Sequence, residues 1–112
     1  MNDLEKEVVG YISQLPNVVF WHRNLERGKG FCINGFIHHY PDFIVVTEKG
    51  NIVMVETKGD DRTNTDSKVK LALGTKWADK AGGQYHYFMV FKNNEIDGSK
   101  SVTEFINLLK QM

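Results

Sequence analysis

The chain has 112 residues, 41% of them hydrophobic and 25% charged, which suits one compact domain over residues 1–112 and is too short for two. Aromatic residues at 12% with only two prolines argue against disorder, and one cysteine, Cys32, excludes an internal disulfide. Fourteen basic residues balance fourteen acidic ones, so nucleic acid has to be attracted by local patches. No apolar run has the ~18 residues of a membrane span and no signal-peptide pattern opens the chain, which reads as cytoplasmic without a membrane partner.

In chain order, Leu4, Val8, Tyr11, Ile12 and Leu15 recur at helical spacing after Asn2 or Asp3 as caps, and Pro16 marks the stop. Val18 to Arg23 is β-branched and aromatic, which predicts a strand, and the following Asn-Leu-Glu-Arg-Gly-Lys-Gly predicts a loop. Phe31 to Ile37 reads as a short additional strand. Phe43 to Thr47 and Asn51 to Thr57 flank Glu48-Lys49-Gly50 as a hairpin. From Asp66 a second helix carries Val69, Ala72, Leu73, Trp77 and Ala81 on one stripe, is weakened by Gly74 and ends at Gly82-Gly83. Tyr85 to Lys92 predicts another strand, and Val102 to Leu109 a closing helix capped by Ser99 or Ser101. The expected fold is α/β, in the order α-β-β-β-α-β-α, with a central mixed sheet flanked by helices.

Chemistry concentrates in Tyr40-Pro41-Asp42-Phe43 and Val55-Glu56-Thr57-Lys58. Strand alternation puts Ile52, Met54, Glu56 and Lys58 on one face and Val53, Val55 and Thr57 on the other. The apolar residues around them imply a strand inside the sheet, where an ionised carboxylate is costly unless paired or bound to a metal. Asp42 and Glu56 are equidistant from the turn centre at Lys49, so an antiparallel hairpin sets them opposite each other. Facing carboxylates repel, and a hard cation relieves the conflict. Oxygen donors suit Mg²⁺ or Mn²⁺, and a lysine two residues on is placed to orient or help deprotonate a water, as phosphodiester hydrolysis requires. A bare Glu-x-Lys is an ordinary ion pair; its conjunction with Pro-Asp on the partner strand is what carries weight. Arg23, Arg27, Lys29, Lys68 and Lys70 are candidate phosphate contacts, with Lys68 and Lys70 favoured by following the Glu-x-Lys strand, whereas Lys76 and Lys80 share the apolar stripe. The histidines form no helical His-x-x-x-His pair, and His22 and His39 read as strand positions or phosphate contacts.

Pro41-Asp42 followed by Glu56-Thr57-Lys58 resembles the Pro-Asp, Asp/Glu-x-Lys signature of the restriction-endonuclease-like nuclease superfamily. Trp21-His22-Arg23-Asn24, Tyr40-Pro41-Asp42-Phe43 and Val55-Glu56-Thr57-Lys58-Gly59, with the Lys-rich helix ending at Trp77, are most similar to the endonuclease domain at the end of type III restriction subunits. The resemblance covers nearly the whole chain. It implies a restriction-endonuclease-like core, a Mg²⁺-dependent endonuclease activity on double-stranded DNA, Asp42 and Glu56 as metal ligands, Thr57 as a carbonyl donor and Lys58 as water-orienting base or electrostatic stabiliser. It also implies an acid from the first helix; Glu5 and Glu7 flank the apolar stripe symmetrically, and the expectation adopted is Glu7. Its partners would be a helicase or translocase region and a specificity or methyltransferase subunit. No Gly-x-x-x-x-Gly-Lys-Ser/Thr motif occurs here, so the chain is either the excised nuclease part of such a subunit or a stand-alone relative. The rival expectations are a non-catalytic nucleic-acid-binding or interaction module of the same fold, and a junction-resolving nuclease acting as a homodimer.

Overall fold

A computed structural model describes residues 2–24, 30–34, 38–59, 65–93 and 95–112. The elements are α1 (Asp3–Ser13), β1 (Val18–Arg23), β2 (Ile33–Asn34), β3 (His38–His39), β4 (Phe43–Thr47), β5 (Ile52–Lys58), α2 (Thr65–Ala81), β6 (Tyr85–Phe91), β7 (Lys100–Ser101) and α3 (Val102–Leu109). Five strands form a mixed sheet in the order β1-β4-β5-β6-β7, and β2 and β3 make a separate antiparallel pair. β1, β4 and β5 are antiparallel neighbours, whereas β5-β6 and β6-β7 are parallel, with α2 making the crossover between β5 and β6.

Alternation along the central strands fills two cores. Phe43, Val45, Val53, Val55 and Val90 pack against Leu4, Val8 and Ile12 of α1 and Phe105 and Leu109 of α3. Met54, Tyr87, Met89 and Phe91 face the other way, toward Leu71 of α2 and Ile33 of β2. Both helices on the first face start with a capping box: Asn2 with Glu5 in α1, Ser101 with Glu104 in α3. Ser101, not Ser99, is therefore the α3 cap; Ser99 instead closes a turn on Ile96. Gly50, with φ +87, supplies the left-handed residue that returns β4 into β5.

The structure departs from the sequence reading at four points. Of the strand expected over Phe31 to Ile37, only Ile33–Asn34 is strand, and residues 35–37 lie outside the described residues, as do Arg27 and Lys29. The two-residue β7 escapes pattern reading because a strand so short shows no period. The α2 stripe is only partly buried: Leu73 and Trp77 pack against the second core. Val69, Ala72 and Ala81 are exposed, and the buried positions are Ser67, Leu71 and Gly74. A Cβ at Gly74 would fall 2.5 Å from the Tyr87 ring carbons, so the glycine that weakens the helix admits that ring against its backbone. Tyr11, which shares the apolar spacing of α1, is exposed.

Candidate functional site

The site gathers where β4 begins and β5 ends. The register Phe43↔Val55 puts Asp42 opposite Glu56, on the α2 side of the sheet together with Ile44, Met54 and Lys58. Asp42 Oδ2 accepts hydrogen bonds from the Thr57 main-chain N–H at 2.7 Å and the Thr57 hydroxyl at 2.9 Å. These bonds seat the carboxylate across the end of the ladder. An extended residue points its N–H and C=O to the same side, so the Thr57 carbonyl also faces β4, while the Lys58 carbonyl accepts from Lys92 on the β6 side.

Glu56 is buried, opposite Asp42 in the ladder. Burial first, and then the Asp42 charge, push its pKa up to about 8, against the opposing pull of Lys58 and Lys70. Asp42 is also raised, by burial first and by the charge of Glu5, with the Thr57 hydrogen bonds opposing. Glu56 Oε1 is buried with no hydrogen-bond partner, alone in this among the described residues. Such an oxygen is expensive to leave unmade unless something outside the chain completes it. Lys58 Nζ lies 3.8 Å from Glu56 Oε2 and 4.0 Å from Asp66 Oδ2, and Lys70 Nζ lies 3.2 Å from the same Asp66 oxygen. Asp66 thus spaces two ammonium groups at the mouth of the site.

A second polar pair lines the wall behind these residues. His39 is 1% exposed, and its Nε2 lies 2.6 Å from the Tyr87 hydroxyl. Burial, then the nearby Lys70 and Lys58 charges, hold the imidazole down at about 4, so it is neutral near pH 7. The Tyr87 phenol is pushed up, by burial first and by the charges of Glu56 and Asp42, and stays protonated. Asn24 fixes the entrance: its main-chain N–H donates to the Asp42 carbonyl at 2.8 Å, and its side-chain amide bonds both the carbonyl and the N–H of Phe31. Sequence reading missed this use of Asn24, Tyr87 and Asp66; Asn24 alone left a signal, as a buried-type polar residue closing a strand.

Asp42, Glu56, Thr57 and Lys58 are brought together at one point, with Lys70 beside them. Glu7 is not. It is exposed, and the first-helix acid whose charge reaches Asp42 is Glu5, buried while its side chain also accepts the Asn2 N–H at 3.1 Å. Lys68 is exposed on a different side of α2, among Leu71, Thr75 and Asp97, and Arg23 is exposed on β1 opposite Phe43.

The donor set fits a hard divalent cation. Among the described residues no three His, Cys, Asp or Glu side chains converge into a ready-made cage. Mg²⁺ does not need one: it keeps several waters and is held by one or two carboxylates, a requirement that Asp42, Glu56 with its unpartnered oxygen and the Thr57 carbonyl can meet. Comparisons with protein-family models, with curated proteins and with solved structures give no match.

Proposed function

We propose that the chain is a Mg²⁺-dependent endodeoxyribonuclease domain of restriction-endonuclease-like architecture, cleaving double-stranded DNA as the nuclease part of a type III-like restriction system. The observation that carries this reading is the pair of facing carboxylates, Asp42 and Glu56, with a buried unpartnered oxygen between protein groups and the Lys58 ammonium alongside. A purely structural ion pair would leave no buried oxygen unmade and would not set two acids against each other.

Asp42, Glu56 and the Thr57 carbonyl would hold Mg²⁺, or Mn²⁺ in its place. When bound, the metal supplies Lewis-acid stabilisation of the negative charge that develops on the phosphoryl group. Lys58 orients the attacking water and places a positive charge beside the pentacoordinate phosphorus. Lys70 holds a neighbouring phosphate, for which the exposed Asp66 carboxylate exchanges its place between the two ammonium groups. The neutral His39–Tyr87 pair forms an uncharged wall that keeps water from solvating the acids from behind.

Zero net charge means weak, salt-sensitive binding to duplex DNA, so the domain by itself nicks slowly and without sequence preference at low ionic strength. Plasmid nicking in Mn²⁺ is expected to fall by about 10²–10³ in Lys58→Ala, with an unchanged thermal midpoint. Equal nicking by both proteins removes Lys58 from the mechanism. A folded wild type that binds Mn²⁺ in calorimetry yet never nicks overturns the nuclease reading for the isolated domain.

A further inference from the structure

The proposed nuclease site leaves unused the apolar stripe of α2. Among the described residues this stripe faces a groove of about 930 Å³, with Phe31 and Ile33 on one wall, Leu73 and Trp77 on the other, and Lys76 and Lys80 at the rim. Its volume lies within the ~300–1,000 Å³ of sites that take small molecules or single nucleotides. Phe31 meets the Trp77 ring edge-on at 5.2 Å, so one end of the groove is aromatic.

Two properties narrow the occupant. Lys76 and Lys80 are exposed one helical turn apart, and no carboxylate lines the groove among the described residues, so an anion is favoured. Between the lysines and the floor an anionic group would stand beside a flat apolar one, which is the chemistry of a nucleotide whose base is not paired. A duplex hides its base faces in the stack and offers a concave apolar groove nothing that fits.

The groove is also built on the scaffold of the site. Ile33 is the β-partner of His39, whose ring feels the charges of Lys58 and Lys70. Asn24 ties the Phe31 backbone to the Asp42 carbonyl through one residue. We propose that this groove binds an unpaired strand of the DNA substrate, its bases against Phe31 and Trp77 and its phosphates on Lys76 and Lys80, and that the domain therefore prefers duplex with a single-stranded arm. The substrate preference rests on the nuclease reading; the groove's ligand does not.

The test is a fluorescence titration in chelator, where cleavage plays no part. Trp21 and Trp77 are the chain's two tryptophans, so Trp21→Phe leaves Trp77 as the reporter. An oligothymidylate of about eight nucleotides should quench its emission to saturation. The Lys76→Ala/Lys80→Ala double variant should bind roughly tenfold more weakly, with a slope of log K against log salt shallower by about 1.4, since each phosphate contact contributes about 0.7 on single strands. Anisotropy of a labelled oligonucleotide with the unmodified protein reads the same affinity should Trp21→Phe fail to fold. Absent quenching, an unchanged affinity in the double variant, or equally tight binding of polyglutamate or of a blunt duplex overturns the proposal. The two readings fail separately. If plasmid nicking proves indifferent to Lys58 the titration still decides the groove, and if the groove binds nothing, nicking by the wild type still decides the nuclease. Where both hold, a flapped duplex is cut faster than a blunt one, and the double variant abolishes the difference.

Discussion

The two ends of the β4-β5 hairpin hold buried polar groups in opposite ways. At the turn, Thr47 Oγ1 donates to the Met112 main-chain oxygen at 2.9 Å, Asn51 Nδ2 donates to the same oxygen at 2.6 Å, and Asn51 Oδ1 meets His86 Nε2 at 2.9 Å. Donors and acceptors close on each other there, tying Met112 to the hairpin. At the open end, five residues along the same two strands, two acids face each other and one buried oxygen has no partner. Hydrogen bonds that complete each other stabilise a fold; acids set against each other are tolerated where the missing partner arrives from outside. The difference lies in which side chains the two strands carry at each end.

The largest effect that should separate the ends is at Asn51. Asn51→Ala leaves His86 unpartnered and removes a clasp on Met112, so it should destabilise by about 1–3 kcal/mol in urea unfolding while leaving Mn²⁺ binding unchanged. A variant that loses metal affinity along with stability would merge the two ends into one cooperative unit and break the comparison.

Next comes pH. Glu56 has its folded pKa raised to about 8 from 4.5, so the native state holds the proton more tightly and stability declines as pH rises between those values. His39 is lowered to about 4 from 6.5, so its contribution is lost as pH falls below 6.5. From about 4.5 to 6.5 the two slopes oppose, and the net decline falls between about pH 6.5 and 8. At about 1.4 kcal/mol per pH unit for one proton, this amounts to roughly 2 kcal/mol in chelator. Glu56→Gln should flatten the decline, and saturating Mg²⁺ should reverse it; a wild-type profile already flat above pH 6.5 would show Glu56 to be ionised and satisfied within the protein.

The smallest effect is expected at Asp42. An asparagine can still accept both Thr57 bonds, while the charge that repels Glu56 disappears. Asp42→Asn should be neutral or stabilising by up to about 1 kcal/mol in chelator, and should lose the upward thermal shift expected of the wild type in Mg²⁺. A clearly lower midpoint in chelator would place Asp42 with the structural groups of the turn end.

Much of this site was legible because hairpin arithmetic is local. A two-residue period and a turn at Lys49-Gly50 suffice to set Asp42 against Glu56 and to put Lys58 on the same face. What the sequence hid was long-range or symmetric. Glu5 and Glu7 sit on either side of the α1 stripe, and the choice between them follows from the docking of the helix start and from the capping box that turns Glu5 inward. His39 and Tyr87 meet across 48 positions, a pairing no periodicity encodes. The α2 stripe was half informative: Leu73 and Trp77 reach the core, but apolar spacing records where hydrophobic residues lie, whereas the sheet-facing side of this helix also needed a serine and a glycine to approach closely.

That glycine acts on the helix as a keyway acts on a shaft. Alanine is the better helix former by about 1 kcal/mol, yet at position 74 its methyl group would strike the Tyr87 ring. The absent atom therefore sets the rotational phase of α2. At about 100° per residue Lys70 lies within about 40° of Gly74, whereas Lys76 and Lys80 point about 160° and 120° away from it. A side chain at 74 would force the Tyr87 ring or the helix to move, and a movement of the helix would carry Lys70 and the rim lysines together. The places of Lys70 beside the carboxylates and of Lys76 and Lys80 at the groove thus depend on the same contact.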